Sequence, residues 1–285
     1  MSWEPVSPSV LSDTQFFRWQ QLLEERTGMY LSAERKPLLQ STLNIRMREI
    51  DSADYDQYLG MVSAKPSGVI EWNILLDRLM IQETRFYRNP DSLDLFTDFV
   101  TARISEKSPD APLNVWSVGC STGEEPYTLA VLCLEIYKKL NRTPMFGVTA
   151  TDISLPALKK AHEGIYNARK LLDMQQELVL QYFEREGNTH FRVSDEVKRK
   201  VCFTMANIID TARSPQRNMD VIYCQNVLIY FRKEKVHNIL NSLAERLAPG
   251  GLLVIGQGEV TDWRHASVYR VSSNQALAFK RRDDI

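Results

Sequence analysis

Four cysteines and four histidines are all that 285 residues offer for thiol, imidazole or soft-metal chemistry. Cys120, Cys133, Cys202 and Cys224 form no C-x-x-C pair, so neither a zinc ribbon nor a redox dithiol is expected. Reduced, mostly buried thiols are the reading, and no metal centre is expected. No apolar run approaches membrane-spanning length, and Leu252-Leu253-Val254-Ile255 has the length of a core strand. That excludes membrane insertion through a helix. Charge of one sign is lacking too: 35 Lys and Arg face 36 Asp and Glu, a net −1. No global field draws nucleic acid to such a chain. The opening Met1-Ser2-Trp3-Glu4-Pro5 has no basic-then-apolar leader, and a cytoplasmic location is expected.

What is present is a large core and a distinctive turn. Hydrophobic residues make up 44% of the chain, enough for a large core, and two domains are expected. Val115-Trp116-Ser117-Val118-Gly119-Cys120-Ser121-Thr122-Gly123-Glu124-Glu125-Pro126-Tyr127 reads as a buried strand, a glycine turn and a helix start. Gly119 and Gly123 permit close backbone approach to a ligand. Thr122 and Glu125 have capping-box spacing, and Pro126 suits a first helical turn. A second strand, Val148-Thr149-Ala150-Thr151-Asp152, ends in a carboxylate that can accept hydrogen bonds from ribose hydroxyls.

The turn selects its ligand by charge. A dinucleotide fingerprint, G-x-G-x-x-G, would need glycines where Ser121 and Glu124 stand. A pyrophosphate would also meet Glu124 and Glu125, and like charges repel. A ligand with ammonium and sulfonium groups is attracted instead. S-adenosylmethionine satisfies both ends, adenosine toward Asp152 and the cationic amino acid toward an acid near Gly123. The alternative for either glutamate is simple complementation of the helix dipole.

Residues 12 to about 80 read as helices. Ser12 or Asp13 caps the first and Gly28 ends it; Ser32 opens the second, with Leu38, Leu39, Leu43 and Met47 on its apolar face. Strands are expected at 113–118, 147–151, 201–206, 219–224 and 252–256, and helices at 125–140, 155–163 and 233–247. This alternation predicts a doubly wound, mostly parallel sheet. Residues 268–271 and 276–280 are expected to form a final antiparallel hairpin. The expected domains are 1–85, helical, and 86–285, α/β, with a small β insertion at 165–205.

Asp220 to Phe231 reads as a buried strand ending in polar and aromatic groups at the ligand edge of such a sheet. Asn207, Asn226 and Tyr230 reach that edge with Gly119 and Asp152. On Thr84-Arg85-Phe86-Tyr87-Arg88, Ser121 to Tyr127, Ala150 to Ile153, Asn207-Ile208 and Asn226 to Phe231, the chain resembles the CheR-type chemotaxis-receptor protein-glutamate O-methyltransferases. The resemblance covers nearly the whole length.

The resemblance implies a class I methyltransferase domain, Rossmann-like, with an N-terminal all-helical domain and a small antiparallel β subdomain. It implies methyl transfer from S-adenosyl-L-methionine, leaving S-adenosyl-L-homocysteine, to glutamates of a methyl-accepting chemoreceptor's cytoplasmic helices. Gln82, Thr84, Arg88, Gly119, Cys120, Glu124 or Glu125, Asp152, Asn207, Ile208, Gln225 and Asn226 would surround the cofactor. Arg88 and Tyr230 would face the methyl-transfer centre. The family commonly carries Asn at the position of Gln82 and Arg at that of Gln225. Arg35, Lys36, Arg46 and Arg48 form a basic cluster, with Arg46 and Arg48 the candidate substrate contacts; Glu34, Glu49 and Asp51 lie close by in sequence, and a solvated mixed face is the alternative. The loop around Gly187 is short for docking a receptor's C-terminal tether. The competing readings are a methyltransferase of other substrates and a degenerate, cofactor-binding adaptor in a chemosensory array. Nucleic acid is disfavoured by the charge balance and the lack of an N/D-P-P-Y motif.

Overall fold

The computed structural model describes residues 10–52, 54–64, 66–80, 83–271 and 276–283. Gln82, an expected cofactor contact, lies outside the described residues. The chain divides into two compact units, Met1–Ile81 and Gln82–Ile285. No helix among the described residues is long and apolar enough to cross a membrane.

The first unit holds helices α1 (Asp13–Thr27), α2 (Lys36–Glu49), α3 (Tyr55–Ser63) and α4 (Gly68–Leu79). Ser12 caps α1 through a full capping box with Gln15, and Gly28 ends it in the left-handed conformation. Ser32 opens a short 3-10 turn, Ala33–Arg35, that leads into α2. Leu39, Leu43 and Met47 of α2 are buried with Trp19, Tyr58, Leu75 and Leu76. Each such side chain contributes about 2 kcal/mol by leaving water. Leu38 departs from the expected apolar face: it is 40% exposed, one position round the helix from Leu39.

The second unit contains α5 (Pro90–Glu106), β1 (Leu113–Val118), α6 (Glu124–Lys139), β2 (Phe146–Asp152) and α7 (Leu155–Glu163). Then come β3 (Ile165–Asn167), α8 (Gln176–Tyr182), β4 (Phe183–Glu186), β5 (His190–Val193), α9 (Asp195–Lys198) and β6 (Val201–Met205). The chain closes with β7 (Met219–Cys224), α10 (Lys233–Ala244), β8 (Leu247–Ile255), β9 (Val268–Val271) and β10 (Leu277–Arg281). Seven strands form one sheet in the order β6-β2-β1-β7-β8-β10-β9. The first five are parallel, and β10 runs antiparallel to both its neighbours.

The burial pattern explains why both faces carry helices. Val115, Val221, Tyr223, Leu252 and Val254 join one core with residues of α5 and α6. Their chain neighbours Trp116, Ile222, Leu253 and Ile255 join another with Val236, Ile239, Leu240 and Leu243 of α10. Alternation along each strand thus points every other side chain to the opposite layer. Trp116 Nε1 donates to Thr151 Oγ1 at 3.0 Å, so the one polar atom of this buried ring is satisfied.

A second sheet, β3-β5-β4, is antiparallel and corresponds to the expected insertion. Its strands end at Val193. Residues 201–205 pair with β2 as an edge of the main sheet, as the strand expected at 201–206 requires, so the insertion ends before them and not at 205.

Candidate functional site

The site is built at the carboxyl ends of β1, β2, β6 and β7. After Val118 the backbone turns sharply: the N–H groups of Gly119 and Cys120 both donate to Thr151 O, at 2.8 and 3.0 Å. Ser121 takes φ 49° and its N–H donates to Asp152 Oδ2 at 2.7 Å. Asp152 Oδ1 accepts the Ser154 N–H at 2.8 Å. The second strand's acid therefore shapes the turn that follows the first strand. Both carboxylate oxygens are acceptors, the chemistry a ribose hydroxyl requires.

The two glycines serve the protein's own packing. A Cβ on Gly119, at φ 73°, would lie 2.3 Å from Val227 Cγ2. One on Gly123, at φ 95°, would lie 2.8 Å from both Ala161 Cβ and the Tyr166 hydroxyl. The expected close approach is real, but its partners here are the Asn226–Tyr230 segment and α7. Gly123 is the residue before α6, and no side chain caps the helix. The expected Thr122–Glu125 capping box does not form, because both side chains have other partners.

Those partners separate Glu124 from Glu125. Glu124 is fully buried. It accepts the Thr122 hydroxyl at 2.6 Å and pairs with Lys170 Nζ at 3.2 Å. Lys170 also donates to Thr84 O, and its carbonyl accepts the Phe86 N–H at 3.1 Å. Glu124 thus belongs to a structural tie between α6, the insertion and residues 84–86. Glu125 accepts the Ser117 hydroxyl at 2.7 Å. Burial pushes its carboxyl up to about 8, the Ser117 bond and the Arg88 charge pull it down, and the Glu259 charge adds to the rise. A half-buried carboxyl held in this way gains from a cation placed against it.

Arg88 donates to Glu83 O at 2.7 Å and is half-buried. Asn207 Oδ1 accepts the Ile209 N–H at 3.3 Å, and the Ala206 N–H donates to Asp152 O at 2.9 Å, which brings Asn207 and Ile208 beside the end of β2. Asn226, at φ 60°, leads from β7 into a 3-10 turn, Leu228–Tyr230. Tyr230 is half-buried there.

Two candidates point elsewhere. Cys120 turns its thiol inward to Ala150 and Leu158, and burial raises it well above its ordinary pKa. It has no exposed nucleophilic sulfur. Gln225 is buried and accepts the Asn89 side-chain amide at 2.8 Å and the Ser92 hydroxyl at 3.4 Å. Its role is to join β7 to the start of α5. Among the substrate candidates, Arg46 is 15% exposed and clamps Glu71 with two bonds of 2.6 and 2.7 Å, with a third to Glu49 at 2.7 Å. This corrects its assignment to an open basic cluster. Arg48 is exposed and lines a groove with Lys36, Gln40, Ser41, Asn44 and Ile45.

Sequence reasoning missed Lys170 and Glu259. Lys170 carries no local signal, since its partners lie 86 and 46 positions away. Glu259 had one: an acid after Gly256-Gln257-Gly258, at the carboxyl end of a core strand.

A family profile described as "CheR methyltransferase, SAM binding domain" matches residues 82–277, and one described as "CheR methyltransferase, all-alpha domain" matches residues 14–80. The chain belongs to the CheR methyltransferase family. It is 32% identical over 254 residues to the Chemotaxis protein methyltransferase of Escherichia coli, covering 87% of this chain and 85% of that one. It is 28% identical over 280 residues to Chemotaxis protein methyltransferase 2 of Vibrio cholerae, covering 96% of each. The fold is also similar to magnesium protoporphyrin IX methyltransferase from Synechocystis, at 15% identity and a TM-score of 0.37, covering 84% of this chain and 96% of that one.

As a CheR family member the protein is an S-adenosylmethionine-dependent methyltransferase. The donor set fits that cofactor: a carboxylate at the end of the second strand, a buried-up carboxyl near the first helix, and a Ser121 hydroxyl buried without a protein partner.

Proposed function

We propose that the protein methylates glutamate side chains on the cytoplasmic helices of chemoreceptors, giving methyl esters. The observation that carries this reading is the character of the crevice: the Arg88 charge reaches the Glu125 carboxyl, in a site whose cysteine is turned inward and protonated. Such a site suits a nucleophile that needs no activation. A glutamate is already ionised near pH 7, so no general base is required. The relatives named as chemotaxis protein methyltransferases support the receptor as substrate.

In this reading Asp152 receives the ribose hydroxyls, Asn207 and Ile208 flank the adenine, and Glu125, rather than Glu124, holds the ammonium. Asn226 and the Gly119–Ser121 backbone close the pocket, with Thr84 at its rim. When bound, S-adenosylmethionine supplies an electrophilic methyl group on a sulfonium. Arg88 orients the incoming carboxylate; too tight a bond would quench it, and its existing bond to Glu83 O limits that. Tyr230 orients without adding charge. Burial of the reacting groups excludes water and favours a step in which opposite charges vanish. Arg48, with Lys36 and the groove along α2, receives an acidic stretch of receptor helix.

The test is transfer from labelled cofactor to receptor cytoplasmic domains, with mild base treatment of the product. Base-labile label, lost in Arg88→Ala and reduced in Tyr230→Phe, is expected. Base-stable label would assign a different acceptor atom, and cofactor binding without transfer to any receptor would favour the adaptor reading.

A further inference from the structure

Arg88 is followed by Asn89, the residue before α5, and Asn226 is preceded by Gln225, the residue after β7. These two neighbours meet through their side-chain amides. Asn89 is exposed, yet its Nδ2 reaches inward and donates to Oε1 of the buried Gln225 at 2.8 Å. An asparagine in this place ordinarily caps its own helix. Here no side-chain cap forms, and the amide serves the strand end instead. The other half of the Gln225 amide is engaged as well, its Nε2 donating to Ile255 O at 3.4 Å. With an acceptor turned to Asn89 and a donor turned to Ile255, the Gln225 amide has one way round that satisfies both.

The backbone around Arg88 needs such a hold. Tyr87 and Asn89 stand on either side of it at φ 54° and 60°, left-handed conformations unfavourable to any residue with a side chain. They persist only where surrounding contacts impose them. On the N-terminal side the Phe86 N–H donates to Lys170 O at 3.1 Å and the Tyr87 N–H to Thr128 Oγ1 at 3.2 Å. On the C-terminal side the Asn89 carbonyl accepts the Ser92 and Leu93 amides at 3.1 and 3.3 Å and the Ser92 hydroxyl at 2.8 Å, all within the first turn of α5. Two side-chain bonds carry that turn onto β7 and the residue after it: the Ser92 and Tyr223 hydroxyls at 2.6 Å, and Asn89 with Gln225. The second is the one made by the residue next to Arg88.

We infer that Gln225 is a positioning residue: by holding Asn89 it fixes the chain on the C-terminal side of Arg88 and so sets where the guanidinium stands. Glu83 O holds that guanidinium from the other side. The catalytic half of this inference rests on the methyl-transfer role given to Arg88. Gln225 touches neither substrate nor cofactor in this scheme. It acts through Asn89.

Two variants break the bond from its two ends. Gln225→Met keeps the length of the buried side chain and removes the acceptor. Asn89→Gly removes the donor and leaves the left-handed backbone free of strain, since glycine adopts it readily. In both, amide hydrogen exchange at Tyr87, Ser92 and Leu93 is expected to accelerate about tenfold, the scale of one hydrogen bond, while exchange within Leu113–Val118 stays as in the wild type. Turnover on a receptor cytoplasmic fragment is expected to fall about tenfold with the receptor KM nearly unchanged. The double variant is expected to be no slower than either single one, because the two changes remove the same bond. In a Tyr230→Phe background Gln225→Met is expected to cost the same factor again. Unchanged exchange at all three amides in both variants overturns the inference, whatever the turnover. Accelerated exchange with wild-type turnover overturns it too, as do losses that multiply in the double variant. A loss that disappears in the Tyr230→Phe background also overturns it, by routing the effect through the Asn226–Tyr230 turn. Accelerated exchange in a protein whose wild type esterifies no receptor carboxylate supports the hold on the chain at Arg88, and then it is the glutamate-methylation reading that fails.

Discussion

With Glu125 holding the ammonium as proposed, cofactor binding is expected to release a proton. Its carboxyl lies at about 8 in the folded protein, against an ordinary 4.5, because burial opposes its charge. At pH 7 such a group is protonated in about nine molecules of ten. An ammonium docked against it requires the ionised form. Binding at pH 7 should therefore release about 0.9 of a proton, and affinity should rise about tenfold between pH 7 and pH 9. The stability of the free protein runs the opposite way. A carboxyl raised on folding contributes fully below its unfolded value, and that contribution is lost as pH climbs through about 8. Burial raises Glu259 as well, and its charge adds to the rise at Glu125, which Arg88 opposes. The assay is calorimetric titration with S-adenosylhomocysteine at pH 7 in two buffers of different ionisation enthalpy, corrected for the free ligand's own titration. Glu125→Gln should abolish most of the release. Release below about 0.2 proton with flat affinity from pH 7 to pH 9 would refute the reasoning, and full release retained by Glu125→Gln would move it to Glu259.

Three further outcomes are expected. Asp152→Asn should weaken cofactor binding by about 1.5–3 kcal/mol, the scale of a charge-assisted hydrogen bond, and Asp152→Ala should in addition lower the melting temperature, because the Ser121 and Ser154 amides lose their acceptor; wild-type calorimetric affinity in both would remove Asp152 from the site. Arg46→Ala should destabilise the helical unit by about 2 kcal/mol in denaturant melts, since the half-buried Glu71 loses its ion-pair partner and keeps the Tyr58 hydroxyl, whereas Arg48→Glu should change stability by less than about 0.5 kcal/mol and raise the receptor KM; the reverse pattern would return Arg46 to the docking face. Gly119→Ala should cost about 3 kcal/mol from overpacking and backbone strain, and Val227→Ala in the same chain should recover part of it, because the clash is with Val227 Cγ2; strict additivity in the double-mutant cycle would show the two do not meet.

The legible part of this molecule is local. Strands at 113–118 and 219–224 and the helix at 155–163 are bounded as their patterns require, because strand alternation and the caps at Ser154 and Gly164 act within a few residues. The acid at the end of β2 was readable for the same reason. What escaped depended on distant partners. Thr122 and Glu125 have capping-box spacing, but Ser117, eight positions back, and Glu124 next door compete for them. Arg46 looks like a surface charge until Glu71 on another helix closes on it. The two glycines announce close approach, and only the folded chain says that Val227 and Ala161 are what approaches.

The Lys170 tie has a consequence for anyone who would re-engineer this enzyme. The small sheet looks like a detachable module, an obvious place to graft a relative's insertion. Yet Lys170 grips Thr84 and Glu124, and Phe86 is wedged edge-on against Tyr166 and Phe183 at 4.9 and 5.1 Å between ring centroids. Arg88 is two residues from that wedge. A transplanted insertion that lacks the lysine and the two aromatic rings would loosen the stretch of chain that presents Arg88, and with Arg88 in its proposed role the chimera is expected to lose turnover however well its new surface met its target. Tyr166, Lys170 and Phe183 therefore mark where a swap must leave the host sequence in place.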